Sequence, residues 1–384
     1  ADTMAGAPLP EAAVTFVECM ERIAAARAGS PDSKARAEEA LQGMRAAATA
    51  RGEYAKVGTE VTYHRGQFVY RALTVYGIAF VLAAFSWLLP RSRLIARSVT
   101  VTVVAALALL VTGITLRCMI MSRAPVATLY ETFLLITAVG TVVGLIVEAI
   151  NRQRVGITLA AFIGGAGLLL ARWFEELEGQ DTLRMLPAVL NTNFWLSTHV
   201  TTITMGYSAG LMAALFAHVW VFAKLFSPAR VALLRSVSRM IYGTICFALV
   251  FSVVGTILGG IWANDSWGRF WGWDPKENGA LLICLVNIAT LHGRLAGWLR
   301  DRGMALAAIF GGVVVAFSWF HVNQLGVGLH SYGFTEGILT ALTIFYVSQA
   351  IVFALGLVVP DTRVAPAPAP AASPRPGSEL APAK

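Results

Sequence analysis

Long apolar runs repeat along the chain from residue 68 onward. A membrane-crossing helix needs about 20 consecutive, mostly apolar residues. Nine stretches meet or approach that length: 68–89, 94–116, 126–150, 155–171, 196–225, 240–262, 277–299, 303–321 and 334–359. The fourth and eighth are short, and the fourth is the weaker of the two. Residues 1–67 follow another pattern, polar and Ala-rich. There Pro10-Glu11 is placed to open one helix, and Asp32 or Ser33 to cap a second that ends near Ala50. Residues 360–384 carry an Ala-Pro run, which resists core packing and favours an extended polyproline tail. The expected fold is an all-α integral membrane protein. It is a polytopic helical bundle of about nine transmembrane helices, with a small external N-terminal helical segment.

Composition strengthens this reading. Of 384 residues, 57% are hydrophobic and 14% charged, against roughly 25% charged in soluble domains. A soluble chain of this length lacks the interior to hide so much apolar surface. That excludes a cytosolic enzyme, a disordered chain and a disulfide-stapled secreted module. The net charge of +8 then reads as loop asymmetry across a bilayer, and not as a nucleic-acid footprint. One set of alternate loops carries Arg91, Arg93, Arg97, Arg152, Arg154, Lys224, Arg230, Arg235, Arg239, Arg294, Arg300 and Arg302. The other carries Arg117, Arg123, Arg172, Arg184, Arg269 and Lys276. The richer set marks the cytoplasmic side. The N-terminus and loop 262–278 then lie outside, and the C-terminus lies in the cytoplasm. An outside N-terminus beginning at Ala1 predicts a processed chain or a longer precursor.

The unusual chemistry falls on the outer side. Trp262, Trp267, Trp271 and Trp273 are four of the ten tryptophans, within twelve residues. An interfacial aromatic belt accounts for such a cluster. A belt, however, needs neither the glycines Gly268 and Gly272 nor the charges Asp274, Lys276 and Glu277 at the start of a span. A platform for a large flat ligand accounts for all of these, with the glycines baring the backbone. Six histidines exist. His199 and His330 share the outer side with the Trp loop, and two imidazoles flanking a tetrapyrrole would ligate its iron. Zinc is the alternative, completed by Asp265 or Asp274. His292 lies about 22 Å into the seventh span at 1.5 Å per residue. An ionisable residue at that depth is a functional candidate, or else a structural histidine bonded to a helix carbonyl. His218 is also within a span, read as packing or as a partner for His292, and His64 and His321 read as interfacial. The run Arg172–Glu178 reads as a solvated face. Four cysteines form no Cys-x-x-Cys and no Cys-x-x-Cys-His, so the chain is neither a thioredoxin-like protein nor itself a c-type cytochrome.

The stretch Trp267-Gly-Arg-Phe-Trp271-Gly-Trp273-Asp274-Pro-Lys276-Glu277 resembles the tryptophan-rich WWD signature of membrane heme-handling proteins. Phe194-Trp195-Leu-Ser-Thr-His199-Val, Leu291-His292-Gly-Arg294 and Asn323-Gln-Leu-Gly-Val-Gly-Leu-His330-Ser-Tyr-Gly narrow the resemblance to the CcsA (ResC) branch. That branch is the heme-handling half of the system II cytochrome c synthase, a heme lyase of the bacterial inner membrane. The resemblance spans about 94–359, as a heme-handling domain after a first transmembrane helix and turn at 68–93. Residues 1–90 resemble the region joining a CcsB (ResB) half to a CcsA half. The resemblance implies heme b held by His199 and His330, with Trp267, Trp271, Trp273 and Asp274 lining the porphyrin surface. It implies a second, membrane-embedded heme site at His292, whose other ligand comes from a CcsB/ResB-type partner. It implies transfer to the CxxCH segment of an apocytochrome c by thioether formation. No residue of the sequence must act as a general acid or base there, and Asp274 and Glu277 are the nearest candidates. A heme exporter without ligation activity and a membrane scaffold anchored by tryptophan are the rival readings. An ion transporter would need mid-membrane acids, and Glu148 near a span end is the nearest.

Overall fold

A computed structural model of the chain describes residues 20–21, 33–50, 52–126, 128–178, 182–183, 194–330 and 338–359. The expected helix from Pro10, the tail 360–384, Arg184 and the stretch Ser331-Tyr332-Gly333 lie outside the described residues. Among those described, structure is helical, without strands. α1 (Ser33–Ala50), a 3-10 turn (Glu53–Lys56) and α2 (Val57–Gly66) precede α3 (Phe68–Leu88) and α4 (Arg93–Met121). α5 (Leu129–Asn151), α6 (Val155–Glu178), α7 (Phe194–Phe226) and α8 (Val231–Trp267) follow. α9 (Pro275–Leu295), α10 (Asp301–Trp319), a 3-10 turn (His321–Leu325) and α11 (Ile338–Val358) complete the order. Nine helical stretches among the described residues are long and apolar enough to cross a membrane. The chain is a multi-pass membrane protein.

Several boundaries differ from the sequence reading. The fourth span, expected to stop at 171, is α6 and runs to Glu178. Charged residues extend it instead of ending it. Arg172 pairs with Glu175 at 3.2 Å and Glu176 at 2.7 Å, the i,i+3 and i,i+4 spacings that support a helix. The Tyr70 hydroxyl donates to Glu175 at 2.7 Å, so the run read as a solvated face also ties α6 to α3. The sixth span begins at Val231, with Arg235 and Arg239 on its first turns. Long basic stems lie along apolar surface while their heads reach water, so they need not break a helix. Glu148 is a cap: its carboxylate accepts from the amides of Arg154 at 2.7 Å and Gly156 at 3.1 Å at the start of α6.

Two packed groups share α5 and α6. Ala72, Tyr76, Ala79, Val103, Ala106, Leu110, Leu134 and Ala160 bury the faces of α3 to α6. Met212, Phe216, Ile241, Met304 and Ile309 fill the space between α7, α8 and α10. Small residues allow the close approaches. A Cβ on Gly156 would stand 2.5 Å from the Gly144 carbonyl oxygen, and one on Gly144 2.8 Å from that of Gly156. Without a hydrophobic drive between helices in lipid, such backbone proximity is the main source of cohesion.

At the Trp-loop end, Glu131 Oε1 accepts from Arg117 at 3.0 Å and Arg123 at 2.8 Å, all three residues buried. Arg117 also donates to the Tyr63 hydroxyl at 3.1 Å, so the cluster binds α2 and α4 to α5. At the other end Arg154 donates to the carbonyls of Ser86 and Pro90, and Arg294 pairs with Asp301 at 3.1 Å. Removing one partner of a buried ion pair strands charge and costs about 3–5 kcal/mol. Glu131→Ala should therefore lose that much stability, read as an earlier midpoint in SDS unfolding of the purified protein. Arg172→Ala, with its exposed pairs, should shift the midpoint by less than about 1 kcal/mol.

Candidate functional site

The site begins with glycine. A Cβ on Gly255 of α8 would lie 2.7 Å from the backbone nitrogen and Cα of Ile203 on α7. A Cβ on Gly206 would meet the Ser252 amide at 2.7 Å. The two helices are therefore in backbone contact, and His199 on α7 reaches the Gly255 carbonyl, 2.8 Å from its Nδ1. A carbonyl only accepts, so Nδ1 carries the proton and Nε2 keeps its lone pair. One turn further, a Cβ on Gly259 would fall 2.6 Å from His199 Cε1, so the imidazole rests on bare backbone.

Trp262, the next aromatic on α8, lies against both candidate ligands. Its ring is nearly parallel to that of His199, centroids 6.2 Å apart and planes at 8°. It meets His330 at 5.9 Å and Trp267 edge-on at 4.7 Å. Trp267 in turn meets His330 at 4.8 Å and 86°. Trp262 is 1% exposed, and its Nε1 has no hydrogen-bond partner among the described residues. His199 and His330, 131 positions apart in sequence, thus share one aromatic wall. Burial pushes the His330 imidazole below its ordinary pKa, and the Asp274 carboxylate pulls part of that shift back. The net fall leaves it neutral, and so a competent ligand, at neutral pH.

The Trp loop is built from its ends inward. α8 ends at Gly268, whose left-handed φ of 71° suits glycine. α9 begins with a capping box. The Asp274 side chain accepts from the Lys276 amide at 2.9 Å, and Glu277 Oε2 accepts from the Asp274 amide at 3.1 Å. Glu277 also takes the Gly272 amide at 2.7 Å, closing the loop on itself. The Lys276 ammonium donates to the Trp319 carbonyl at 2.9 Å, tying α9 to α10.

The expectation that Gly268 and Gly272 bare the backbone for a flat ligand is corrected at Gly272. Gly268 is a helix terminator, and the space a Gly272 side chain would fill holds the Arg269 guanidinium, 0.9 Å from the Cβ position. The tryptophans also divide. Trp267 meets His330, while Trp271 and Trp273 pack edge to face on each other at 6.1 Å and 87°. Trp273 is 70% exposed and holds a φ of 58°, a conformation that is costly for an aromatic residue.

Asp274 belongs to both halves of the site. It is 5% exposed. Its Oδ1 lies 3.1 Å from His330 Nδ1, and its Oδ2 lies 3.5 Å from the His330 amide. His292 is elsewhere: near the far end of α9, about 25 Å along the helix from Pro275 at 1.5 Å per residue. It is exposed on the bundle surface, and its Nδ1 bonds the Ile288 carbonyl of its own helix at 2.9 Å. His218 does the same with Ala214 at 2.7 Å, which fits packing better than pairing with His292. His321 stacks on Phe317 at 5.4 Å, and exposed His64 faces Glu60 at 3.9 Å.

Sequence reading passed over the roles of Trp262 and of the glycines Gly255 and Gly259. The Gly-x-x-x-Gly spacing in an apolar helix was the available signal for the latter. Among the described residues no three His, Cys, Asp or Glu side chains gather as a metal set, which removes support from zinc. Two imidazoles on one aromatic wall suit an iron whose other ligands come with a flat macrocycle.

Architecture and site together define a multi-pass helical membrane protein with a histidine–tryptophan centre at one end. The family model described as Cytochrome C assembly protein matches residues 126–330. The cytochrome c biogenesis protein CcsA of Parasynechococcus marenigrum (strain WH8102) is 31% identical over 277 residues, covering 63% of this chain and 89% of that protein. CcsA of Guillardia theta is 32% identical over 237 residues, covering 54% of this chain and 76% of that protein. Among solved structures, a cytochrome c heme lyase CcmF superposes with a TM-score of 0.52 at 15% identity, over 76% of this chain and 50% of that one, and so shares the fold. The chain belongs to the cytochrome c assembly protein family, on its CcsA branch.

The loop's rigidity is testable. Glu277→Ala frees the amides of Gly272 and Asp274, a loss of about 1–2 kcal/mol locally. Their hydrogen exchange should quicken by about tenfold, while amides in the middle of α8 keep wild-type rates.

Proposed function

We propose that this protein holds heme b between His199 and His330 and presents it for covalent attachment to apocytochrome c, together with a CcsB/ResB-type membrane partner. One observation carries the reading. Both histidines have Nδ1 against an acceptor, Gly255 O at 2.8 Å and Asp274 Oδ1 at 3.1 Å, and both lie on Trp262. His199 thereby keeps Nε2 for iron, and the Asp274 carboxylate stands behind the His330 imidazole. Heme is the substrate here, and membership of a cytochrome c assembly family supports its choice over other tetrapyrroles.

The basic loops orient the chain. Arg154, Arg294 and Arg302 stand at the end away from the Trp loop, which favours that end as cytoplasmic and the Trp loop as outside the bacterial inner membrane. Residues 1–67 form an external segment of linker type, 68–93 a first span and turn, and 94–359 the heme-handling domain. The tail 360–384 is cytoplasmic. His292, exposed on α9 near the cytoplasmic end, is half of an inner heme site. The partner supplies the other ligand there, and heme passes from that site to the outer one.

At the outer site the residues of this chain position and protect. His199 and His330 hold the iron, and Trp262 and Trp267 exclude water. Trp271 and Trp273 extend an aromatic surface toward the arriving polypeptide. The apocytochrome places the two thiols of its CxxCH segment at the vinyl groups. Each S–H adds across a C=C bond, sulfur to one carbon and hydrogen to the other, with no net oxidation. The substrate's histidine then replaces one synthase imidazole. Positioning of this kind supplies several kcal/mol of a barrier. Asp274 and Glu277 are occupied as caps, so the geometry supports neither as a general acid or base.

The test is the absorption spectrum and pyridine hemochrome of the protein purified with its partner from heme-replete cells. Sharp reduced bands of six-coordinate heme b, lost in both His199→Ala and His330→Ala, are expected. His292→Ala should remove a separate fraction of the heme and leave those bands. A heme-free wild-type complex would overturn the reading in favour of a tryptophan-anchored scaffold. Bound heme without covalent product, in a host lacking other synthases, would favour an exporter.

A further inference from the structure

The two proposed axial ligands are backed unequally. His199 donates its Nδ1 proton to a neutral carbonyl, Gly255 O, at 2.8 Å. His330 Nδ1 lies 3.1 Å from a buried carboxylate oxygen of Asp274. We propose that Asp274 is a positioning residue for His330, and that it makes His330 the retained axial ligand and His199 the one exchanged for the substrate's histidine. This rests on the preceding reading that both imidazoles ligate heme iron.

Asp274 is fixed before any ligand arrives. Its Oδ1 caps α9 through the Lys276 amide at 2.9 Å. Its Oδ2 faces the His330 amide at 3.5 Å. Gly328 folds over it with a φ of 90°, and a Cβ there would stand 1.9 Å from Oδ2. The loop before His330 therefore closes on the carboxylate, which is 5% exposed. A side chain held from three directions has one rotamer left, and it hands that order to the imidazole.

Electronic consequences follow from the charge. An ionised carboxylate 3.1 Å from an imidazole nitrogen acts on it more strongly than a neutral carbonyl at a similar distance. A carboxylate behind a metal-bound histidine raises the basicity of the coordinating nitrogen, and removing such a partner typically costs about 10–100-fold in metal affinity. Placement on the chain argues the other way, since His199 sits on a long helix and His330 on a loop. Loop mobility alone would make His330 the looser ligand. The carboxylate's factor of about ten or more works against that order. The exchange balances simply. The bond from iron to His199 Nε2 breaks and a bond to the substrate imidazole forms. Both imidazoles stay neutral, and iron keeps its oxidation state.

Asn is as good a helix N-cap as Asp, so Asp274→Asn keeps the start of α9 and removes only the charge. In the full chain purified with its partner, Asp274→Asn should move the heme midpoint potential positive. It should also speed heme loss to excess apomyoglobin by about tenfold, at wild-type yield and helicity. Asp274→Glu should recover part of both. His199→Gly should keep five-coordinate heme that added imidazole returns to six-coordinate, while His330→Gly should come out heme-free at the outer site. Unchanged potential and loss rate in Asp274→Asn would overturn the role of Asp274. Equal retention in the two glycine variants, or the reverse order, would overturn the assignment of the exchanged ligand. A heme-free wild-type complex would overturn the underlying site reading itself.

Discussion

The contact between α7 and α8 is the constraint from which the site follows. Gly206 and Gly255 remove the side chains that would hold the two backbones apart. Only at that distance does a histidine on one helix reach a main-chain carbonyl on the other. Within an α-helix that carbonyl is already used, so His199 shares it as a second acceptor contact. The same helix then carries Trp262 to the histidine's face and Trp267 to its edge of the loop. A larger residue at Gly255 or Gly259 would displace the imidazole first and the tryptophans after it. The polar chemistry at the helix ends can be arranged only because this apolar packing is tight.

Burial in lipid explains why the remaining polar groups gather where they do. A polar group inside the hydrocarbon must find its partner within the protein. Threonines and histidines along the helices return to carbonyls one turn back, as Thr137, Thr141, His218 and His292 do. Charges are moved to the ends and shared: one carboxylate oxygen of Glu131 serves two arginines, and Glu277 serves two amides. This sharing ties the Trp-loop end together.

Much of this was legible in the sequence, because apolar run length reports membrane crossing directly. The spans from Leu129, Phe194, Pro275 and Asp301 stand within a few residues of their expected starts. The charges Asp274, Lys276 and Glu277, taken as marks of a ligand platform, form a capping box that starts α9 at Pro275, two residues before the expected span. The errors have physical causes. Run length ended α6 at 171, since Arg172 and its glutamates weaken hydropathy while their spacing strengthens the helix. The space at Gly272, expected to be bare, is filled by the Arg269 guanidinium, a neighbour that residue spacing does not reveal. Trp262 stood in the quoted loop, but its place on the histidines depends on the pairing of α7 with α8, which no local pattern encodes. The juxtaposition of Asp274 with His330 was hidden for the same reason, across fifty-six residues.

The interior between the two ends decides how a large flat substrate relates to this bundle. Met212, Phe216, Ile241, Met304 and Ile309 are at most 1% exposed, and they fill the space between α7, α8 and α10. A macrocycle does not pass through a core packed at that density. His292 faces outward instead, on the side of α9 where Leu285 and Leu282 are also exposed. The outer centre reaches the surface through loop 268–274 and the turn before His330. Both proposed heme positions therefore open on the outside of the bundle and not into a shared central channel. On the proposed function, transfer between them runs along the outside of the bundle, past the exposed apolar face of α9, and not through its core.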